Sequence, residues 1–247
     1  YEGGETDMQL VGAAMAVRNH VTVITGGPGT GKTYTVAHII AALSAAAPSR
    51  RVVLSAPTGK AAARVQESVS AHLVNLGIAN DSHRAVTLHR LLRINPATHR
   101  PRYSTAHPLE ADVVIVDEAS MIPLSLMAKL VASLAPSTKL ILLGDKDQLA
   151  SVESGAVLAD ICGAAGVNAY DAAGADVLAR LGLGVVPCTR VASPFPGTVV
   201  ELMKNYRQQD APRIAALGAA VRDGDAGQVR DIVGRGDDAV RFVPCRE

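Results

Sequence analysis

The chain has 247 residues, of which 48% are hydrophobic and 19% are charged. This composition excludes an intrinsically disordered chain, and since no run of about 18 apolar residues occurs, we expect no membrane-spanning helix. The formal net charge of +1 excludes a globally basic surface, so any nucleic-acid site must be local. Three widely spaced cysteines fit neither a disulfide framework nor a zinc site, which favours a reducing cytoplasm.

Short β-branched segments alternate with alanine-rich segments of helical length along most of the chain. The apolar segments are nearly continuous runs, as expected of strands that are covered on both faces of a parallel sheet. The predicted strands are Val21–Thr25, Arg51–Ala56, Asp112–Val116 and Thr138–Leu143. The predicted helices between them are Lys32–Ala46, Gly59–Leu76, Leu124–Leu134 and Ala156–Cys162. The alternation predicts an α/β fold with a mainly parallel sheet and helices on both faces.

Two segments interrupt this alternation. Residues 93–108 contain prolines among basic residues and predict an exposed loop. Residues 163–197 are rich in Ala, Gly and Pro and predict an irregular insertion with one helix over Ala175–Leu181. After the insertion we predict a strand-like piece from Thr198, a helix over Ala211–Asp223 and a last strand-like piece over Ala239–Val243.

A glycine-rich stretch between the first predicted strand and its helix matches the phosphate-binding P-loop pattern. It reads Gly26-Gly-Pro-Gly-Thr-Gly-Lys-Thr33. Glycines let several backbone N–H groups point at one phosphate, beside the positive end of the helix dipole. We expect Lys32 to reach the β- and γ-phosphates of ATP and the Thr33 hydroxyl to bind Mg²⁺. The predicted nucleotide contacts are Gly27, Pro28, Gly29, Thr30, Gly31, Lys32 and Thr33.

Two acidic residues, Asp117 and Glu118, directly follow the β-branched run Val113–Val116. An isolated Asp-Glu pair is usually a solvated turn, but a P-loop needs a carboxylate at the end of a neighbouring strand. We expect Asp117 to hold Mg²⁺ and Glu118 to take the proton of the attacking water. An acid in that second position favours hydrolysis of ATP over transfer of phosphate to an acceptor.

The next predicted strand is followed by Gly144-Asp-Lys-Asp-Gln148. A glutamine at this level is placed to contact both the γ-phosphate and the attacking water, and so to sense the nucleotide state. The same residues are equally compatible with a surface turn, and their spacing alone leaves both interpretations open.

Together these segments resemble the superfamily 1 helicases, and within them the RecD family, the alpha subunits of exodeoxyribonuclease V. The resemblance extends from about Gln9 to about Asp225 and implies a RecA-like P-loop NTPase fold. Besides the segments above, it rests on four matching motifs: Ala56-Pro-Thr-Gly-Lys-Ala61, Thr87-Leu-His-Arg-Leu-Leu92, Ser151-Val-Glu-Ser-Gly155 and Asn205-Tyr-Arg-Gln208. In this family the glutamine at Gln148 is a functional residue, which favours the first of its two interpretations.

The resemblance also assigns roles to residues outside the P-loop. It implies that Gln9 hydrogen-bonds adenine and that Arg207 reaches the γ-phosphate as an arginine finger that offsets transition-state charge. A glutamine on a helix surface and an exposed ion-pair partner are the simpler alternatives. The implied DNA contacts are Pro57, Thr58, Lys60 and His89. His89 is equally compatible with a structural role, and the arginines at 90, 93, 100 and 102 with an ordinary surface.

The implied function is an ATP-dependent, 5′→3′ DNA helicase motor of a helicase–nuclease complex in DNA repair, with single-stranded DNA and other subunits as partners. A RecD-like helicase that acts alone, the helicase part of a conjugative relaxase, and a nucleotide-gated DNA-binding module stay open. The implied organisation is a RecA-like motor core over 1–162, an insertion over 163–197, and a segment over 198–247 that leads toward a second RecA-like domain. Because the sequence starts at Tyr1 without an initiator Met, we expect a fragment of a longer protein.

Overall fold

The computed structural model describes residues 6–78, 84–148, 156–183, 193–206, 212–235, 240–241 and 243. Within these ranges the strands are β1 (Val21–Thr25), β2 (Val52–Ala56), β3 (Ala85–Thr87), β4 (Val113–Val116), β5 (Lys139–Gly144) and β6 (Val199–Glu201). They form one sheet in the order β3-β2-β4-β5-β1-β6. Every neighbouring pair is parallel, so all the carboxyl ends lie at one edge.

Helices connect the parallel strands. They are α1 (Met8–Arg18), α2 (Lys32–Ala46), α3 (Gly59–Asn75), α4 (Leu88–Leu91), α5 (Leu124–Ala132), α6 (Val157–Ala165), α7 (Ala172–Arg180), α8 (Pro212–Arg222) and α9 (Ala226–Gly234). A short 3₁₀ turn covers Ala119–Met121, directly after β4. Among the residues that the structure describes, no helix is long and apolar enough to cross a membrane.

The sheet is covered on both faces because successive side chains of a strand point to opposite sides. On β4, Val113 and Ile115 pack into a cluster with residues of α2 and α3, whereas Val114 and Val116 pack into a cluster with residues of α4, α5 and α6. All four valine and isoleucine side chains of β4 are buried. The predicted α/β fold, a parallel sheet between two helical layers, is confirmed.

A third cluster lies beside the edge strand β6. The fully buried Tyr170 packs there with Met15 of α1, Leu178 of α7 and Val200. The described part of the predicted insertion, residues 163–197, contains the end of α6 and the whole of α7. The sequence predicts a helix over Ala175–Leu181 there, and α7 covers Ala172–Arg180.

By their internal contacts the residues divide into two compact units. The first comprises Tyr1–Gly27 and Gly31–Met203 and contains the sheet; the second comprises Pro28–Thr30 and Lys204–Glu247. In the second unit, the guanidinium of Arg213 on α8 donates a hydrogen bond of 2.6 Å to the carbonyl of Ile232 on α9. Asp225 caps α9 by accepting a hydrogen bond from the backbone of Gln228.

Candidate functional site

Three adjacent strands, β4, β5 and β1, bring the predicted nucleotide-binding segments to one edge of the sheet. Val116 pairs with Leu142 of β5, and Gly144 of β5 pairs with Thr25 of β1. The chain leaves these strands at Asp117, at Asp145 and at Gly26. Because the strands are parallel, the two acids, the segment ending in Gln148 and the P-loop all follow carboxyl ends, which is where open α/β sheets bind ligands.

The P-loop connects β1 to α2 and is shaped by its glycines. Gly29 and Gly31 have φ angles of +82° and +86°, which non-glycine residues rarely adopt. Gly31 is the N-cap of α2 and offers no side-chain cap, so the first N–H groups of this 15-residue helix are suited to an anion. The Lys32 ammonium donates hydrogen bonds of 2.6 Å to the Gly26 carbonyl and 3.1 Å to the Gly27 carbonyl, which holds its charge over the loop.

Gln9 lies against the P-loop. It is in the first turn of α1, which Asp7 caps by accepting a hydrogen bond from the Gln9 backbone N–H. A Cβ at Gly31 would overlap the Gln9 side-chain amide nitrogen. Gln9 is buried, with 9% of its surface exposed. The structure therefore brings together the glutamine and the loop that the sequence places 22 residues apart.

Asp117 follows β4 in a half-buried position. Burial raises the pKa of its carboxyl group above the usual value. The hydrogen bond from the Glu118 N–H and the charges of Lys32 and Arg64 oppose that rise, whereas the Glu118 charge adds to it. The Asp117 carboxyl and the P-loop lysine therefore interact electrostatically, and this interaction favours the ionised form of the carboxyl.

Glu118 adopts a left-handed backbone conformation, with φ +53° and ψ +39°. Its N–H donates a hydrogen bond of 2.9 Å to the Asp117 carboxylate. A non-glycine residue in this conformation costs of order 1 kcal/mol and persists only where the surrounding structure holds it. Such a conformation redirects the chain from β4 into the 3₁₀ turn and marks a candidate functional position.

Gln148 is exposed and is held by two hydrogen bonds. Its backbone N–H donates to the carbonyl of Asp145 at 3.2 Å, which forms a tight turn after β5. Its side-chain oxygen Oε1 accepts a hydrogen bond of 2.8 Å from the hydroxyl of Ser120. The structure therefore places Gln148 in a surface turn and joins its side chain to Ser120; its contact with the nucleotide stays a prediction.

The predicted DNA-contacting residues lie at the other part of the same edge. Pro57, Thr58 and Lys60 follow β2, and His89 follows β3; Thr58, Lys60 and His89 are exposed. Thr58 also has a structural role, because its hydroxyl caps α3 by accepting a hydrogen bond from Ala61. The residues predicted to bind the nucleotide thus follow β4, β5 and β1, whereas the residues predicted to contact DNA follow β3 and β2.

Arg207, the predicted arginine finger, and residues 151–155 lie outside the described residues. The two residues before Arg207 contact the start of the P-loop within the second unit. The Asn205 side-chain amide donates a hydrogen bond of 3.0 Å to the Pro28 carbonyl, and the Tyr206 N–H donates one of 2.9 Å to the Gly29 carbonyl.

Ser120 and Arg64 were not among the predicted site residues. Ser120 follows Glu118 by two residues, but nothing in the sequence pattern indicates that its hydroxyl contacts Gln148. Arg64 is on α3, one turn beyond Lys60, and its charge lowers the pKa of Asp117. A basic residue one helical turn after Lys60, which itself follows a strand end, is the sequence signal that indicates a positive charge near this edge of the sheet.

The oxygen groups at this edge fit a hard divalent cation. The Asp117 carboxylate and the Thr33 hydroxyl, in the first turn of α2, are ligand types that Mg²⁺ prefers. Within the described ranges, no group of three or more His, Cys, Asp or Glu side chains is placed to hold a metal ion. Mg²⁺ in proteins is commonly held by one or two carboxylates together with substrate phosphates and waters, a ligand set that these two residues fit.

Comparison with known proteins agrees with this arrangement. The family described as an AAA domain matches residues 9–154. The RecD subunit of the RecBCD enzyme from Mycolicibacterium smegmatis is 38% identical over 98% of this chain, and the chain spans 40% of that protein's length. An ATP-dependent RecD2 DNA helicase from Deinococcus radiodurans is 38% identical over 60% of this chain and is covered over 18% of its length.

The fold is also similar to solved structures. A Pif1 helicase from Candida albicans superimposes with a TM-score of 0.55 at 18% identity, over 92% of this chain and 46% of that one. At this identity the similarity supports the fold alone. The resemblance to the RecD family that the motifs indicate is confirmed by the sequence relatives.

Proposed function

Because the chain belongs to the AAA domain family and matches RecD subunits over nearly its whole length, we propose that it is the ATP-binding part of a DNA helicase motor. The relatives are longer than this chain, which spans 40% of the M. smegmatis protein. The proposal therefore concerns the full-length protein, in which this unit binds and hydrolyses ATP to drive movement along single-stranded DNA.

The single observation that carries the proposal is the convergence of three strand ends. The P-loop follows β1, Asp117 and Glu118 follow β4, and Gln148 follows β5, which lies between them. Phosphate binding, metal binding, proton removal and nucleotide sensing need these residue types at neighbouring positions.

Each residue of the proposed site has a separate role in ATP hydrolysis. Lys32 and the N–H groups of the first turn of α2 bind the phosphates, and Asp117 with Thr33 binds Mg²⁺, which when present neutralises charge on the phosphate oxygens. Glu118 takes the proton from the attacking water, and Gln148 orients that water. Gln9 contacts the adenine base, and Arg207 offsets the charge that develops in the transition state.

The DNA strand runs over the ends of β2 and β3. Thr58 and Lys60 offer a hydroxyl and a charge to phosphate oxygens, Pro57 and His89 lie beside them, and arginines 90, 93, 100 and 102 are also exposed. The described stretch from Arg84 to Leu109 contains no Asp or Glu, so its surface carries a local positive charge although the chain is nearly neutral.

We further propose that the full-length protein is a cytoplasmic subunit of a helicase–nuclease complex and moves 5′→3′. The match to a complex subunit over 98% of the chain, against 60% for a RecD2 helicase, favours this over a helicase that acts alone. Co-expression with the other subunits of the RecBCD enzyme from the same organism tests it: a stable complex supports a subunit, and an isolated active helicase contradicts it.

The central experiment measures ATP hydrolysis and duplex unwinding by the full-length protein, with and without single-stranded DNA. Substrates with a 5′ or a 3′ tail give the direction. Glu118→Gln should abolish both activities while ATP still binds, because the proton acceptor is lost and the phosphate contacts are kept. Glu110→Gln is the matched control. Glu110 is an exposed glutamate before the start of β4, at the end of that strand opposite to Glu118, and its carboxylate forms an ion pair of 2.9 Å with Arg51.

The outcomes separate the candidate functions. DNA-stimulated hydrolysis that depends on Glu118 supports the motor. Unwinding that is unaffected by Glu118→Gln contradicts it and favours a module in which ATP only gates binding to DNA.

A further inference from the structure

Ser120, a buried serine, makes a contact that the proposed chemistry does not yet use. Its hydroxyl donates a hydrogen bond of 2.8 Å to Oε1 of Gln148. We propose that Ser120 is a positioning residue for hydrolysis: it fixes the side-chain amide of Gln148, so that the Nε2 end is presented to the phosphate and the attacking water. This inference rests on the proposed function, because it assigns Gln148 to the nucleotide.

The two partners differ in burial, and that difference indicates which side chain holds the other in place. Ser120 is 7% exposed and lies in the 3₁₀ turn after β4, whereas Gln148 is exposed and has a long side chain. A free glutamine samples many rotamers, and a hydrogen bond to a buried partner restricts that freedom. The fixed hydroxyl therefore orders the mobile amide, and not the reverse.

The orientation follows from the chemistry of an amide. The carbonyl oxygen only accepts hydrogen bonds and the NH₂ group only donates them. Since Ser120 donates to Oε1, the donor group of Gln148 is directed to the opposite side of the amide carbon. A donor is what a phosphate oxygen requires, so the contact selects the rotamer that is useful for nucleotide sensing.

The close approach of the two segments depends on Gly144, the last residue of β5. A Cβ at this position would lie 3.0 Å from the Ser120 backbone nitrogen and 2.5 Å from a methyl carbon of Leu158. Only glycine lets the 3₁₀ turn pack this closely on the end of β5. The fold thus supplies the space that the Ser120–Gln148 hydrogen bond needs.

The contact also joins two functions through one turn of chain. Ser120 follows Asp117 and Glu118 by three and two residues, and the left-handed Glu118 sets the path of the turn. Ser120 therefore links the segment that binds the cation to the segment that senses the phosphate.

The test uses the full-length protein and measures kcat and KM for ATP in the presence of single-stranded DNA. Ser120→Ala should lower kcat about tenfold, because a misplaced catalytic group costs one to two orders of magnitude. The KM for ATP should stay within about twofold, because the described side-chain hydrogen bond of Ser120 is to Gln148 and the phosphate-binding loop is left unchanged. Ser125→Ala, which changes an exposed serine on α5, is the matched control and should leave kcat unchanged.

A double variant distinguishes positioning from general destabilisation. In a Gln148→Ala background, Ser120→Ala should have no further effect on kcat, since the residue it positions is gone. An equal loss in both backgrounds, or a kcat within about twofold of wild type for Ser120→Ala, would overturn the proposal. If wild-type protein shows no DNA-stimulated hydrolysis, the proposed function itself fails, and that result is recognised before any variant is compared.

Discussion

The ammonium of Lys146 lies 3.1 Å from a carboxylate oxygen of Glu201, which joins the loop after β5 to the end of β6. β1 lies between these two strands, and the Lys146 backbone N–H also donates a hydrogen bond of 3.0 Å to the hydroxyl of Thr25 at the end of β1. The base of the P-loop is thus fixed by a side-chain bridge between both neighbouring strands.

We expect this bridge to stabilise the fold measurably. The two side chains are only 23% and 25% exposed, so Lys146→Met should cost up to about 1 kcal/mol in the free energy of unfolding. Urea titrations of Lys146→Met, Glu201→Gln and the double variant would give the coupling energy. The exposed Asp176–Arg180 pair of α7, treated in the same way, is the control and should show a coupling near zero.

The same bridge predicts a loss of stability at alkaline pH. Burial lowers the pKa of Lys146, but its hydrogen bonds to Asp147 and Glu201 and their charges raise it more, so the net pKa lies above the ordinary value of 10.5. The stabilisation is complete below 10.5 and disappears as the pH rises through the pKa of the folded state. The difference in stability between wild type and Lys146→Met should therefore persist from pH 7 to 10 and shrink above that. A difference that vanishes near neutral pH would contradict the bridge.

Gly31→Ala should destabilise the protein, because the residue has a φ of +86° and its Cβ would overlap the side chain of Gln9. The left-handed backbone alone costs about 1–2 kcal/mol for alanine. Gly27→Ala is the matched control, since no atom lies within 4 Å of its Cβ. Thermal unfolding without nucleotide compares the two variants. Adding Gln9→Ala should recover part of the loss, and no recovery would show that the amide does not press on Gly31.

Asp117→Asn should raise the stability of the nucleotide-free protein. Burial makes the pKa of this carboxyl higher than usual, so at pH 7 the ionised group opposes folding; an amide removes that cost. We expect up to about 1 kcal/mol, or about 2–4 °C in Tm for a chain of this size.

The stabilisation by Asp117→Asn should fade at low pH and should be absent at a control position. A carboxyl whose pKa is raised on folding favours the folded state in acid, and that advantage is lost as the pH rises through the folded-state pKa. The gain from Asp117→Asn should therefore shrink toward pH 4. Asp112→Asn, which weakens an exposed hydrogen bond of 2.8 Å to the Arg51 backbone, should not stabilise the protein. Calorimetry at several pH values measures both.

Lys32→Ala should abolish nucleotide binding and leave the fold intact. The Lys32 ammonium donates hydrogen bonds to the loop carbonyls of Gly26 and Gly27, and among the described residues Lys32 is not part of the buried hydrophobic clusters. Binding of a fluorescent ATP analogue and the circular dichroism spectrum test the two halves of the prediction. Lys129→Ala on α5 is the control for loss of a lysine far from the P-loop. Unchanged nucleotide affinity would mean that the site is wrongly assigned.

The sheet was largely predictable, because its central strands are buried on both faces and therefore read as continuous apolar runs. Predicted and observed bounds of β1 are identical, those of β2 and β4 differ by one residue at the start, and β5 is shifted by one residue at both ends. β3, over Ala85–Thr87, was not predicted; its three residues are half-buried at the sheet edge, so they carry no such run. Short edge strands depend on a neighbour more than on their own composition.

The P-loop, the acids after β4 and Gln148 were predictable for a different reason: their chemistry restricts the residue types that can serve. Two contacts could not be predicted from the sequence: Ser120 with Gln148, which are 28 positions apart, and Lys146 with Glu201, which are 55 apart. Only the packing of the strands brings these residues together. Their residue types are common on any surface, and no periodicity marks them.

The position of Gln9 has a practical consequence for the design of shorter proteins. A truncated gene that starts at β1 would retain the complete P-loop pattern and would pass any motif search. It would nevertheless lack the side chain that covers Gly31, together with Val11 and Met15, which are fully buried. The smallest useful expression boundary therefore lies upstream of Asp7, the cap of α1, and a library built on motif limits would yield proteins that lack the helix packed against the P-loop.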